Sequence, residues 1–206
     1  MKNRILIVDD HPLVRKGLAL TLEADDLDAL NGAMMAAYEL GDVEAARDWG
    51  YRALKVDPDD EESRYNLGVI LLALRRAEEA QEILSPLVTA EDDEEESGAE
   101  RAKFIGAMAI SKMMLGQREA AFEKIGESQR LGVEAPWLAA FAEELLKAEG
   151  ARAAIQFLDH TSSFEPTWSA VRPMLAYLCC GLINDEELSR EYIEELEKAV
   201  KAQQIG

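Results

Sequence analysis

Apolar residues in this chain come in short bursts separated by small and acidic residues, and the bursts recur at a fixed interval. The segment ALKVDPDD at 53–60 has an earlier counterpart, ALTLEADD at 19–26, and a later one, LVTAEDDE at 87–94. Each carries a small or apolar pair, an apolar residue and an acidic turn in one register. A recurrence every ~34 residues marks a repeat array, in which each unit buries its apolar face on its neighbours. Within 28–60, Gly41 falls at a turn between two helices, Ala46 and Ala53 fall where the second helix approaches its neighbours, and Pro58 opens the next turn. Glycine ends a helix at positive φ, alanine permits a tight crossing and proline stops continuation. Near the C-terminus, 166–182 and 185–204 read as two more helices. In the last, Leu188, Tyr192, Ile193, Leu196, Ala199 and Val200 keep a helical spacing amid glutamates, as expected of a terminal cap. Only Ile5–Val8 reads as a strand.

The period, the turn glycines and the contact alanines together resemble tetratricopeptide repeats. The units fall at 27–60, 61–94, 102–135 and 136–165, with 166–206 as a C-terminal helical pair. In the second, Leu67 and Gly68 match the leucine–glycine pair of the family's first helix and Ala80 its contact alanine, while Arg75 replaces the turn glycine. Gly116 and Ala121 serve the third unit and Gly150 the fourth. The acidic stretch EDDEEESGAER breaks the register by about seven residues and reads as a solvated loop or helix start. The resemblance implies an all-α fold, a tetratricopeptide-type helical-hairpin solenoid wound as a right-handed superhelix.

The N-terminal segment 1–24, MKNRILIVDDHPLVRKGLALTLEA, resembles the start of a response-regulator receiver domain. In that family an acidic pair, here Asp9 and Asp10, helps hold magnesium beside a phosphorylated aspartate. The later parts of such a site have no counterpart here, and Asp57 falls in an inter-repeat turn. Two carboxylates alone hold magnesium poorly, so no metal site and no cofactor is expected. Pro12–Glu23 also fits the second helix of a truncated repeat, because Ala19 lies one repeat period before Ala53. Residues 1–26 are therefore expected to form an N-terminal capping half-repeat.

Composition agrees with helices: hydrophobic residues make up 48% and aromatics 6%, with only six prolines. Lysine and arginine number 22 against 41 aspartates and glutamates, a net charge of −19. Such a surface repels nucleic-acid backbones and anionic membranes and favours a partner with basic flanks. The adjacent Cys179 and Cys180 imply no disulfide framework and fit a reducing compartment. No apolar run is long enough to span a bilayer and no signal-peptide pattern is present, so a soluble, cytoplasmic protein is expected.

No nucleophile–base pair, phosphate loop or metal cluster stands out, so no enzyme is expected. The resemblance places the first helix of each unit along a concave groove. Groove positions are then Asn31, Met35 and Tyr38; Tyr65, Asn66, Val69 and Leu72; Lys103, Ile110, Met113 and Met114; and Trp137 and Phe141. Methionine adapts its shape and tyrosine combines area with a hydrogen bond, which suits capture of a peptide or helix. Asn66 and Lys103 match two places of the carboxylate clamp of some tetratricopeptide domains, but Asn31, Met35 and Gly106 depart from it. The expected function is a protein-interaction adaptor or scaffold, with chaperoning as one form of that role. The alternative is a phosphorelay protein with a degenerate, truncated receiver.

Overall fold

The computed structural model describes residues 26–89, 98–161 and 168–205, and among them every element is a helix. The receiver-like segment, with its expected strand, its helix and the Asp9–Asp10 pair, lies outside the described residues, as does most of the acidic stretch. The chain divides into two compact units, one ending at Leu74 and the other beginning at Arg75.

In the first unit, α1 (Leu27–Glu39), α2 (Val43–Val56) and α3 (Glu61–Ala73) pack consecutively, and α1 also touches α3. An aspartate opens each helix. Asp26, Asp42 and Asp60 accept hydrogen bonds from the backbone N–H groups of Ala29, Ala45 and Ser63 at 3.3, 3.2 and 2.8 Å. Each satisfies an N–H that the helix itself cannot pair. The α1–α2 turn closes at Gly41, whose φ is 79°. There Asp42 N–H donates to the Ala37 carbonyl and Gly41 N–H to that of Tyr38, both at 2.9 Å. This double closure needs a left-handed residue, which glycine supplies without strain. Ala46, Ala53, Met34 and Leu67 are fully buried. Between them sits Gly50, where an added Cβ would lie 2.9 Å from both Leu67 Cδ1 and Met34 Sδ.

The second unit contains α4 (Ala77–Thr89), α5 (Gly98–Met114), α6 (Arg118–Arg130), α7 (Ala135–Glu149), α8 (Ala151–Asp159), α9 (Trp168–Ile183) and α10 (Glu186–Ile205). α4 packs on α5 and α5 on α6, the consecutive pairs from α7 to α10 pack in turn, and α5 meets α7 as α7 meets α9. The core centres on three aromatic rings. Phe141 stands edge-on to Phe122 at 5.4 Å and tilted against Phe157 at 4.9 Å. Buried serines tie helices together: Ser111 Oγ donates to the Ala77 carbonyl at 2.9 Å, and Ser128 Oγ to that of Ala102. Cys179 and Cys180 are buried free thiols, and burial pushes both pKa values up.

The turn residues carry the repeat further than the glycines suggested. Gly41, Arg75, Gly116, Gly150 and Asn184 all have positive φ. They follow one another at the repeat interval except across the acidic stretch. Asn184, at φ 52°, closes α9–α10 with Asp185 N–H donating to the Cys180 carbonyl at 3.3 Å. Asparagine tolerates this region better than most residues. The final pair expected as a cap therefore has the turn of a further hairpin in the same register.

Arg75 holds φ 62° without that advantage. Its guanidinium reaches the Glu144 carboxylate of α7 at 2.5 Å, and Lys147 reaches the same oxygen at 3.0 Å. Burial pushes the Glu144 pKa up, but hydrogen bonds from Arg75 and Lys147 outweigh it and leave the carboxyl below its ordinary value. The stability this confers is present above the ordinary carboxyl range and is lost as pH falls through the depressed folded value. Glu144→Gln should therefore flatten the acid limb of the stability–pH curve below about pH 4.5 in urea titrations. At neutral pH it should cost about 1–2 kcal/mol, less than a fully buried pair, because Arg75 is half exposed and water screens it. An acid limb that stays unchanged would remove this pair from the stability account.

Candidate functional site: the first-helix faces

The proposed groove positions of the first unit lie on α1 and α3. Met35 is exposed, and Tyr38, Tyr65, Asn66 and Val69 are half-buried. On α3 the last three flank Leu67 and Gly68, which are buried. Packing thus takes one side of the helix and leaves the other partly open. Asn31 belongs to the interior. Ser63 Oγ donates to its Oδ1 at 2.7 Å, and its Nδ2 donates to Asp60 Oδ2 at 3.4 Å. The amide is held by the capping group of α3 and joins α1 to that helix start. Burial raises the Asp60 pKa, while the hydrogen bonds from Ser63 and Asn31 lower it and prevail. Leu72 is buried as well.

In the second unit, Lys103 is partly exposed, with its Nζ 3.5 Å from Glu100 and 5.3 Å from the centre of the Phe104 ring. Met113, Ile110 and Phe141 are buried. Trp137 is half-buried against α5, where a Cβ on Gly106 would meet its Cβ and Cγ at 3.4 Å. That spacing is ordinary van der Waals contact, so the indole lies directly against the α5 backbone at Gly106.

A surface that sequence reasoning passed over lies on α9. Met174, Tyr177, Leu178 and Leu182 are 43, 39, 57 and 67% exposed. Their spacing puts them on one helix face. The available signal was Asn184: counted back from it, Met174 and Leu178 hold the places that Tyr65 and Val69 hold before Arg75.

Among the described residues, no group of histidine, cysteine, aspartate and glutamate could hold a metal ion. Nor is any helix among them long and apolar enough to cross a membrane.

Comparison with known proteins places these hairpins. A family profile described as tetratricopeptide repeat matches residues 50–104. No curated protein matches the chain. Among solved structures, Pseudomonas aeruginosa pilF is similar over 87% of this chain and 79% of its own, with a TM-score of 0.57 and 19% identity. YrrB, described as a TPR protein with an unusual peptide-binding site, is similar over 92% of this chain and 97% of its own, with a TM-score of 0.50 and 12% identity. The chain is built of tetratricopeptide-type helical hairpins and carries the sequence signature of that repeat over residues 50–104.

Proposed function

We propose that this protein is an interaction adaptor that binds a segment of a partner protein on the open faces of its first helices. The observation that carries the reading is on α3. Tyr65, Asn66 and Val69 remain partly open while Leu67, Gly68, Ile70 and Leu71 beside them are buried. An aromatic, an amide and a branched aliphatic residue side by side offer area, a hydrogen-bonding pair and an apolar contact. The likeness to YrrB, with its peptide-binding site, supports the same reading. The net charge of −19 favours a partner segment with basic flanks over nucleic acid or an anionic membrane. Adaptor work requires no cofactor and no catalytic group.

Tyr65→Ala combined with Asn66→Ala should weaken partner binding by roughly 2–4 kcal/mol if the two form a hot spot. Thermal stability should change by about 1 kcal/mol or less. Calorimetric titration beside circular dichroism melts separates the two effects. A large drop in melting temperature with binding retained in the folded fraction would make both side chains structural and defeat the assignment.

A further inference from the structure

We infer that α9 is the docking helix of the second unit, and that its occupant is an amphipathic helix of a partner protein with lysine or arginine flanking its apolar stripe. The inference rests on the adaptor reading and names where and what this unit binds. Counted back from each turn residue, the first-helix positions ten, six and three places earlier are equivalent. They are Gly106, Ile110 and Met113 on α5, then Ala140, Glu144 and Lys147 on α7, then Met174, Leu178 and Gly181 on α9. On α5 they are closed: Trp137 covers Gly106, and Ile110 and Met113 are buried. On α7, Glu144 is engaged by Arg75 and Lys147. Only α9, of these three helices, offers the positions as an open apolar face, widened by Tyr177 and Leu182.

The shape and charge of this face select its occupant. From Met174 to Leu182 the stripe runs about 12 Å along one helix, the length of two turns of a helix laid beside it. Residues 173–184 contain no charged side chain, so the contact itself is apolar. At the C-terminal end of α9, where the helix dipole is negative, Asp185, Glu186 and Glu187 follow at once, and the two glutamates are exposed. A basic flank on the partner meets that end favourably. A second copy of this chain would bring the same carboxylates and the same negative charge to the contact, which disfavours self-association through it.

The test uses the full chain and a fluorescent amphipathic peptide of roughly 15 residues, with leucines at helical spacing and lysines elsewhere. A leucine–glutamate counterpart is the charge control, and anisotropy is read in about 0.15 M salt. Leu178→Ser with Leu182→Ser should weaken the lysine peptide at least about tenfold while leaving the circular dichroism melt in place. Glu186→Gln with Glu187→Gln should weaken it about threefold and reduce its salt dependence. The glutamate peptide should not bind, and Glu78→Gln, at an exposed carboxylate of α4 remote in sequence from the stripe, should leave the lysine peptide bound. Unchanged binding by the leucine variant overturns the proposal, as does failure of the lysine peptide to bind. Loss of binding in the Tyr65/Asn66 variant alone would keep the adaptor reading and place docking on the first unit instead. A wild-type dimer in light scattering that the leucine substitutions convert to monomer would assign the stripe to self-association and also overturn it.

Discussion

Phe141→Ala should destabilise the second unit by about 3–5 kcal/mol, the range for emptying a fully buried aromatic site. The ring is inaccessible to solvent and lies between Phe122 and Phe157, so its loss removes both ring contacts and leaves a cavity walled by rigid helices. Phe141→Leu, which refills part of that volume, should cost less than half as much. Because the chain has two compact units, a single melting curve can merge two transitions. Hydrogen exchange read by mass spectrometry separates them: protection should fall across α6, α7 and α8, which carry the three rings, and stay in place across α1 to α3. Uniform loss of protection in both units would show that they unfold together. Full protection throughout would mean that the neighbours close over the missing ring.

Gly50→Leu is expected to do comparable damage to the first unit, at about 3 kcal/mol or more. The first carbon of any side chain there meets Leu67 Cδ1 and Met34 Sδ at 2.9 Å and Leu67 Cβ at 3.1 Å. The two outer atoms can move aside, but Leu67 Cβ is fixed to the backbone of α3. Gly50→Ala is therefore the informative control. Its strain works against a gain of up to about 1 kcal/mol in helix propensity, so its net effect should be small. The leucine variant adds three more carbons where no space exists, and α3 must move away from α2. Urea unfolding followed by exchange across α1 to α3 reads both. Equal stability of the leucine and alanine variants would show that α3 shifts freely and that Gly50 is not a packing constraint.

Much of the hairpin arrangement was legible before any coordinates, because the requirements are local. A turn that demands positive φ selects glycine, so Gly41, Gly116 and Gly150 announced themselves. A second helix packed on both sides selects small residues, so Ala46, Ala53, Ala80 and Ala121 did too; all four are fully buried. Arg75 was placed at its turn by the register alone, and Asn184 adopts the same backbone shape beyond the units that the glycines marked. Gly50 escaped notice because its constraint comes from two other helices, and spacing within α2 does not reveal it.

The candidate site divides along the same line. Periodicity by itself determined which residues share the first-helix face, since a helix places positions three and four apart on one side whatever surrounds it. It could not decide which of them remain open, because exposure depends on what the neighbouring helices bring. Asn31 was drawn inside by Ser63 and Asp60, and Met113 was covered, whereas Tyr38 and Tyr65 stayed partly open. Nothing beside Glu144 in the sequence points to Arg75, 69 residues away, which packing brings against it. The stripe on α9 is apolar by sequence, and it is a surface only because no described helix packs over it. Sequence determined the hairpins because backbone conformation is governed by near neighbours; tertiary structure alone decided the open faces because burial is governed by residues distant in the chain.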